Sequence, residues 1–121
     1  MTLPLTPEML AAAYDYLRHT PPFHRWNLPE PEDVKFTVGR ARDCFAFYQW
    51  DGFRHTITVS KNAVAHTSTL MTAMAHECIH LHLEATKQES KRSSPSHHNA
   101  AFRRYAAQAC KYHGFDPKAF Y

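Results

Sequence analysis

The spacing of apolar side chains divides the chain into a helix, a strand region and two further helices. Near the start, Met9, Leu10, Ala13 and Leu17 recur at the three- and four-residue steps of one helical face. Thr6 is a good N-cap, Pro7 suits the first helical position, and Glu8 favours the positive end of the helix. The pattern predicts a helix to Leu17 or Arg18, ended by Thr20-Pro21-Pro22. A Pro-rich connection with aromatic anchors Phe23 and Trp26 runs from Phe23 to Asp33.

The period then shortens to that of strands. Val34 to Val38, Cys44 to Trp50 and Phe53 to Ser60 read as three strands, the last two joined by an Asp51-Gly52 hairpin turn. In the third, Phe53, His55, Ile57 and Val59 alternate with Arg54, Thr56, Thr58 and Ser60, the pattern of a half-buried strand. Three such runs in succession read as a meander of about three strands, with the sheet order left open.

The helical period returns at about Thr69 and lasts through Ala85, with Thr67 or Ser68 as the cap. Leu70, Met71, Met74, Cys78, Ile79, Leu81 and Leu83 surround this helix, so it is expected to lie buried across the sheet. The polar run KQESKRSSP, Lys87 to Pro95, reads as an exposed loop. A last helix is expected from His98 to His113, stopped at Gly114 in a left-handed conformation and followed by the tail FDPKAFY. The fold class read from these elements is α+β, a single domain over residues 1–121.

Composition narrows the function classes. With 44% hydrophobic and 21% charged residues the chain is an ordinary globular one. No run of about 18 apolar residues is present, so a membrane span is not expected. The opening MTLPLTPEML lacks the basic-then-apolar order of a secretion signal. Cys44, Cys78 and Cys110 form no CxxC pair, which argues against a zinc ribbon or disulfide framework and for a reducing cytoplasm. A net charge of +3 permits contact with nucleic acid without demanding it.

Ten histidines among 121 residues need an explanation. Three of them fall in MAHECIHLHLEA, inside the buried helix. His76-Glu77-Cys78-Ile79-His80 matches HExxH. Positions four apart stand one turn apart on the same helix face, so two imidazoles can reach one zinc at about 2.0–2.1 Å. Glu77 then lies near the metal without binding it, where a carboxylate can take a proton from activated water. The plain alternative is a helix whose histidines are satisfied by hydrogen bonds, which is costly in so apolar a setting. His82 sits roughly 200° round the helix from His80 and is a poor ligand. Glu84, one turn past His80, either supports a ligand or solvates the helix end.

A catalytic zinc needs a third ligand. The compact HExxHxxGxxH form is absent, because Leu83 and Thr86 stand where glycine and histidine would be. The segment from His98 to His113 contains no acid. From His98, the helical steps reach the apolar stripe Ala101, Phe102, Tyr105, Ala106 and Ala109; from His97 they reach a more polar face. His98 is therefore the expected ligand, with His97 as the alternative.

HECIHLH, followed after a polar loop by HHNAAFRRYAAQACKYHGF, resembles the SprT-like (Spartan-like) family of zinc metallopeptidases. That family reads HExxH on one helix, then a histidine four residues before an aromatic on the next. His98-Asn99-Ala100-Ala101-Phe102 is similar, with Asn99 where glycine is usual. The strand TITVS ahead of the active helix also fits, and the likeness extends from about Tyr14 to Phe115. It implies a zincin-like minimal metallopeptidase domain that binds Zn2+ through His76, His80 and His98. It implies Glu77 as general base and cleavage of peptide bonds, in the eukaryotic branch of proteins attached to DNA. The zinc ribbon and DNA-binding extensions of many members are missing, so the chain looks like the short bacterial or phage forms.

The expected function is thus a zinc metalloendopeptidase acting on a protein or peptide, including proteins associated with DNA. Candidates to stabilise the oxyanion are Tyr105, His97 and Tyr112. The competing reading is a zinc-stabilised binding module for nucleic acid or protein. Its surface would be Arg40, Arg42, Lys87, Lys91, Arg92, Arg103, Arg104 and Lys111, with Phe47, Trp50 and Phe53 stacking on bases. Glu77 separates the two, because a closed structural zinc site has no use for a carboxylate there.

Overall fold

The structure is a computed structural model; it describes residues 5–40, 42, 45–62, 67–88 and 98–120. Its elements follow the expected α+β order. Helix α1 spans Pro7–Arg18, with the Thr6 hydroxyl accepting from the Met9 amide at 3.2 Å. Its buried face is Leu10, Ala13, Tyr14 and Leu17. Tyr14 completes that face because its hydroxyl has somewhere to go: it donates to the Pro29 carbonyl at 2.7 Å. The last turn is held by Arg18, paired with Asp15 at 2.9 Å and Glu30 at 3.0 Å. Single 3-10 turns at Phe23–Arg25 and Pro31–Asp33 shape the connection that follows.

Strands β1 (Val34–Gly39), β2 (Ala46–Trp50) and β3 (His55–Ser60) form one sheet in the order β1-β3-β2. The expected meander is corrected here. β3 lies between the other two, antiparallel to β2 and parallel to β1. The expected alternation does not carry through the second half of β3. Thr58 and Ser60 are buried along with Ile57 and Val59. At the edge of this packing Gly39 has no room for a side chain, since a Cβ would stand 2.9 Å from Thr58 Cγ2.

The β2–β3 turn is also longer than the two residues expected. Trp50 pairs with His55, so residues 51–54 make the loop. The Asp51 carboxylate accepts from the Phe53 and Arg54 amides at 2.8 and 2.7 Å, and Gly52 supplies the positive φ of +89°. These bonds draw Phe53 out of the strand, and its ring is 90% exposed.

Helix α2 (Thr67–Ala85) packs on α1 and on strands β2 and β3. Leu70, Met74, Ala75, Cys78, Ile79, Leu81 and Leu83 are buried around its circumference, as an apolar pattern on most sides requires. The helix already includes Thr67 and Ser68, so neither is its cap; the preceding residue, like the expected polar loop beyond Gln88, lies outside the described residues. Helix α3 (Ala100–His113) and a short α4 (Pro117–Phe120) close the fold. Gly114 ends α3 with φ +74°, its amide donating to the Cys110 carbonyl at 2.8 Å.

Candidate metal centre

Helix α2 carries His76 and His80 on one face, with their ring centroids 5.1 Å apart. His98 reaches them from the chain entering α3. Its ring lies 4.8 Å from His76 and 5.5 Å from His80. It is not on the helix, as the sequence pattern suggested, but one residue ahead of the cap. Asn99 is the N-cap, its Oδ1 accepting from the Phe102 amide at 2.8 Å. Its Nδ2 donates to the Gln88 carbonyl at 2.9 Å, which ties the start of α3 to the end of α2. The His98 ring stacks flat on Phe102, at 4.1 Å and 9°. Phe102 also touches both other rings, at 4.8 Å from His76 and 4.7 Å from His80. It is the apolar floor of the cluster.

Asn99 thus sets where His98 stands, and the cost of removing it follows from capping. Asn99→Ala should lower stability by about 0.5–2 kcal/mol, while Asn99→Gly loses only a few tenths through the cap. Both lose the bond to Gln88, so the difference between the two variants in urea unfolding isolates the cap.

One nitrogen from each histidine forms a group in which all three lie within 4.8 Å of one another. A point then exists within about 2.8 Å of all of them, and zinc–imidazole bonds of about 2.0–2.1 Å need an inward shift of under about 1 Å. The three residues therefore fit a single metal ion. Among the described residues this is the one such group of His, Cys, Asp and Glu. The His76 Nδ1 is already committed, since it donates to the Phe120 backbone carbonyl at 2.7 Å. A carbonyl only accepts, so the neutral ring carries its proton on Nδ1 and offers the Nε2 lone pair to a metal. The Nε2 atoms of His80 and His98 are buried and make no hydrogen bond among the described residues, although both rings have other contacts.

Phe120 is the feature that sequence reasoning missed. The tail FDPKAFY held a signal, namely Asp116 before Pro117, a helix start that folds the tail back. No local pattern says which ring nitrogen its carbonyl meets.

Glu77 is 4% exposed, directly after His76 on α2. Burial pushes the neighbouring Cys78 thiol up, and the Glu77 charge adds to the shift, so Cys78 is an inert core residue. Glu84 is half-buried near the helix end and is not part of the histidine group. His82 faces away, stacked on Trp26 at 4.5 Å and 17° and edge-on to Tyr105 at 4.9 Å. Tyr105 therefore packs on the side of α2 opposite the triad. Its hydroxyl accepts from the Gln88 amide at 3.4 Å. Tyr112 is 58% exposed, and His97 lies outside the described residues.

Burial lowers the pKa of three histidines. His76 is pushed down to about 3, first by burial and then by the charge of His80. His55, bonded to the Tyr48 hydroxyl, and His82 are lowered by burial as well. Their folded values lie below the 6.5 of the unfolded chain, so the unfolded state takes up more protons as pH falls. Stability present above about pH 6.5 is lost progressively as pH drops toward the folded values. Thermal unfolding of the metal-free protein from pH 7.5 to 5 should show a falling midpoint; a level profile would contradict the burial argument.

The SprT-like family model matches residues 13–119, nearly the whole chain. The chain belongs to the SprT-like family. SprT-like domains are of the metallopeptidase type, and the clustered histidines of this one could hold a metal ion. A comparison with curated proteins finds no match. No helix among the described residues is long and apolar enough to cross a membrane.

Proposed function

We propose that this SprT-like chain is a zinc-dependent endopeptidase. The observation that carries the proposal is the convergence of His76, His80 and His98 beside Glu77, a buried carboxylate one residue after the first ligand. Three imidazoles with no fourth protein ligand among the described residues are the donor set of a catalytic rather than a structural zinc site. Zinc held there would polarise a substrate carbonyl and lower the pKa of water.

The chain's own residues do the rest. His76, His80 and His98 would hold the metal through ring nitrogens, and the His76 Nδ1–H is held by the Phe120 carbonyl so that the ring cannot turn. Glu77 takes the proton from the attacking water and passes it to the leaving amine. The apolar wall of Phe102 keeps competing water from the back of the site and strengthens each charge interaction there. The substrate is a protein or peptide chain, and the exposed Arg40, Arg42, Arg103, Arg104 and Lys111 provide a basic surface for DNA that carries it.

The test is zinc content together with cleavage of an unfolded protein, with and without single-stranded DNA, before and after chelation. Zinc-dependent cleavage supports the proposal. Zinc bound stoichiometrically with no cleavage under any condition would overturn it in favour of a binding module, whose exposed Trp50 and Phe53 rings suit stacking on bases.

A further inference from the structure

Asp116, Pro117 and Lys118 are exposed, and the turn they make sends the Phe120 ring into the core beside the histidine cluster. Gly114 reverses the chain at the end of α3, and the Asp116 carboxylate caps α4 by accepting from the Lys118 amide at 3.0 Å. The turn is closed by the Phe120 amide, which donates to the Asp116 carbonyl at 3.0 Å. Phe120 is then 2% exposed, with its ring 5.6 Å from His76 and its carbonyl on His76 Nδ1.

Phe120 does not reach that place alone. Its ring stacks on Phe115 at 5.6 Å and 23°, and Phe115 stacks on His113 at 5.3 Å and 9°. His113 is anchored in turn to the segment that follows α1. Its Nε2 is 3.0 Å from the Thr20 hydroxyl, and its ring is 5.6 Å from Phe23. A continuous row of rings, Phe23, His113, Phe115, Phe120 and His76, therefore runs from the end of α1 to the histidine cluster. Aromatic pairs at such distances contribute beyond their buried area, and a row of them resists displacement as a unit.

We infer that the C-terminal turn is a positioning element for His76: the Phe120 carbonyl sets its tautomer, and the Phe115 and Phe120 rings hold that carbonyl in place. The inference rests on the metal reading of the triad. Its chemistry is that of a second layer of contacts, which orient a metal ligand and raise its basicity without touching the ion. A histidine with a mobile ring and mixed tautomers offers Nε2 only part of the time; one held at Nδ1 offers it always.

Three measurements test this. Long-range proton–nitrogen NMR of the metal-free full chain should show His76 as the Nδ1–H tautomer; an Nε2–H ring would overturn the inference. A chain ending at Asp116, checked for helix content, should bind Zn2+ about 10–100-fold more weakly than the full chain, the usual effect of losing such a contact. Phe120→Leu keeps the carbonyl but removes the ring that holds it, and should weaken Zn2+ binding measurably but by less than the shortened chain does; an affinity equal to that of the full chain would overturn the role given to the ring. A folded shortened chain with unchanged tautomer and Zn2+ affinity would overturn the inference. If the shortened chain does not fold, the tautomer of the full chain decides. Failure of the full chain to bind Zn2+ would sink the metal reading instead, and the tautomer would still report on the tail.

Discussion

Glu77→Gln should reduce peptide cleavage by about 10²–10⁴-fold while zinc remains bound. The two side chains have the same shape, so the packing of a residue only 4% exposed is kept. What disappears is the ability to accept a proton. A glutamine amide can orient water but cannot act as its base, and the loss belongs in kcat more than in KM. The pair of readouts matters. If the variant loses zinc as well as activity, Glu77 is a structural partner of the site rather than its base. If it cleaves as fast as the wild type, the proposed role is wrong.

His98→Ala should weaken zinc binding on the order of 10²–10³-fold, since a four-ligand zinc site is worth about 10–16 kcal/mol, or about 2.5–4 kcal/mol per ligand. Folding should suffer less. His98 precedes the Asn99 cap, and α3 keeps its own apolar face of Phe102, Ala106, Ala109 and Cys110. Isothermal titration with Zn2+, alongside circular dichroism, separates the two effects. The companion variant His97→Ala should bind zinc like the wild type. The reverse pattern would transfer the third ligand to His97.

How much of this was legible beforehand varies with the range of the interaction involved. His76, Glu77 and His80 could be read together because a helix converts sequence spacing into direction within a single turn, with no help from the rest of the fold. The same local geometry sent His82 away from the cluster, and the structure finds it against Trp26 and Tyr105. His98 was reached by a helical-face argument although the residue stands before the helix. The argument still pointed the right way, because the stripe that faces the core begins with the residues that follow His98. The stripe is wide enough to touch both sides of α2, and only the packing shows that Tyr105 lies against His82 and Trp26.

The strands mark the boundary most clearly. Alternation along Phe53 to Ser60 announced a strand but not its neighbours, and Thr58 and Ser60 are buried at positions that the alternation assigns to water. Phe53 left the strand because the Asp51 carboxylate captured two amides, a choice made by one side chain against a generic turn preference.

By itself, then, the sequence determined the α+β order of elements, the buried central helix and the HExxH face, since each depends on contacts within a few residues. Only the tertiary structure decided the sheet order β1-β3-β2, the meeting of His98 with His76 and His80, and the Phe120 carbonyl on His76 Nδ1. The β1–β3 pairing, the His98 contacts and the Phe120 bond join residues 18 to 44 positions apart, and for such pairs the outcome depends on how whole elements pack rather than on any spacing written along the chain.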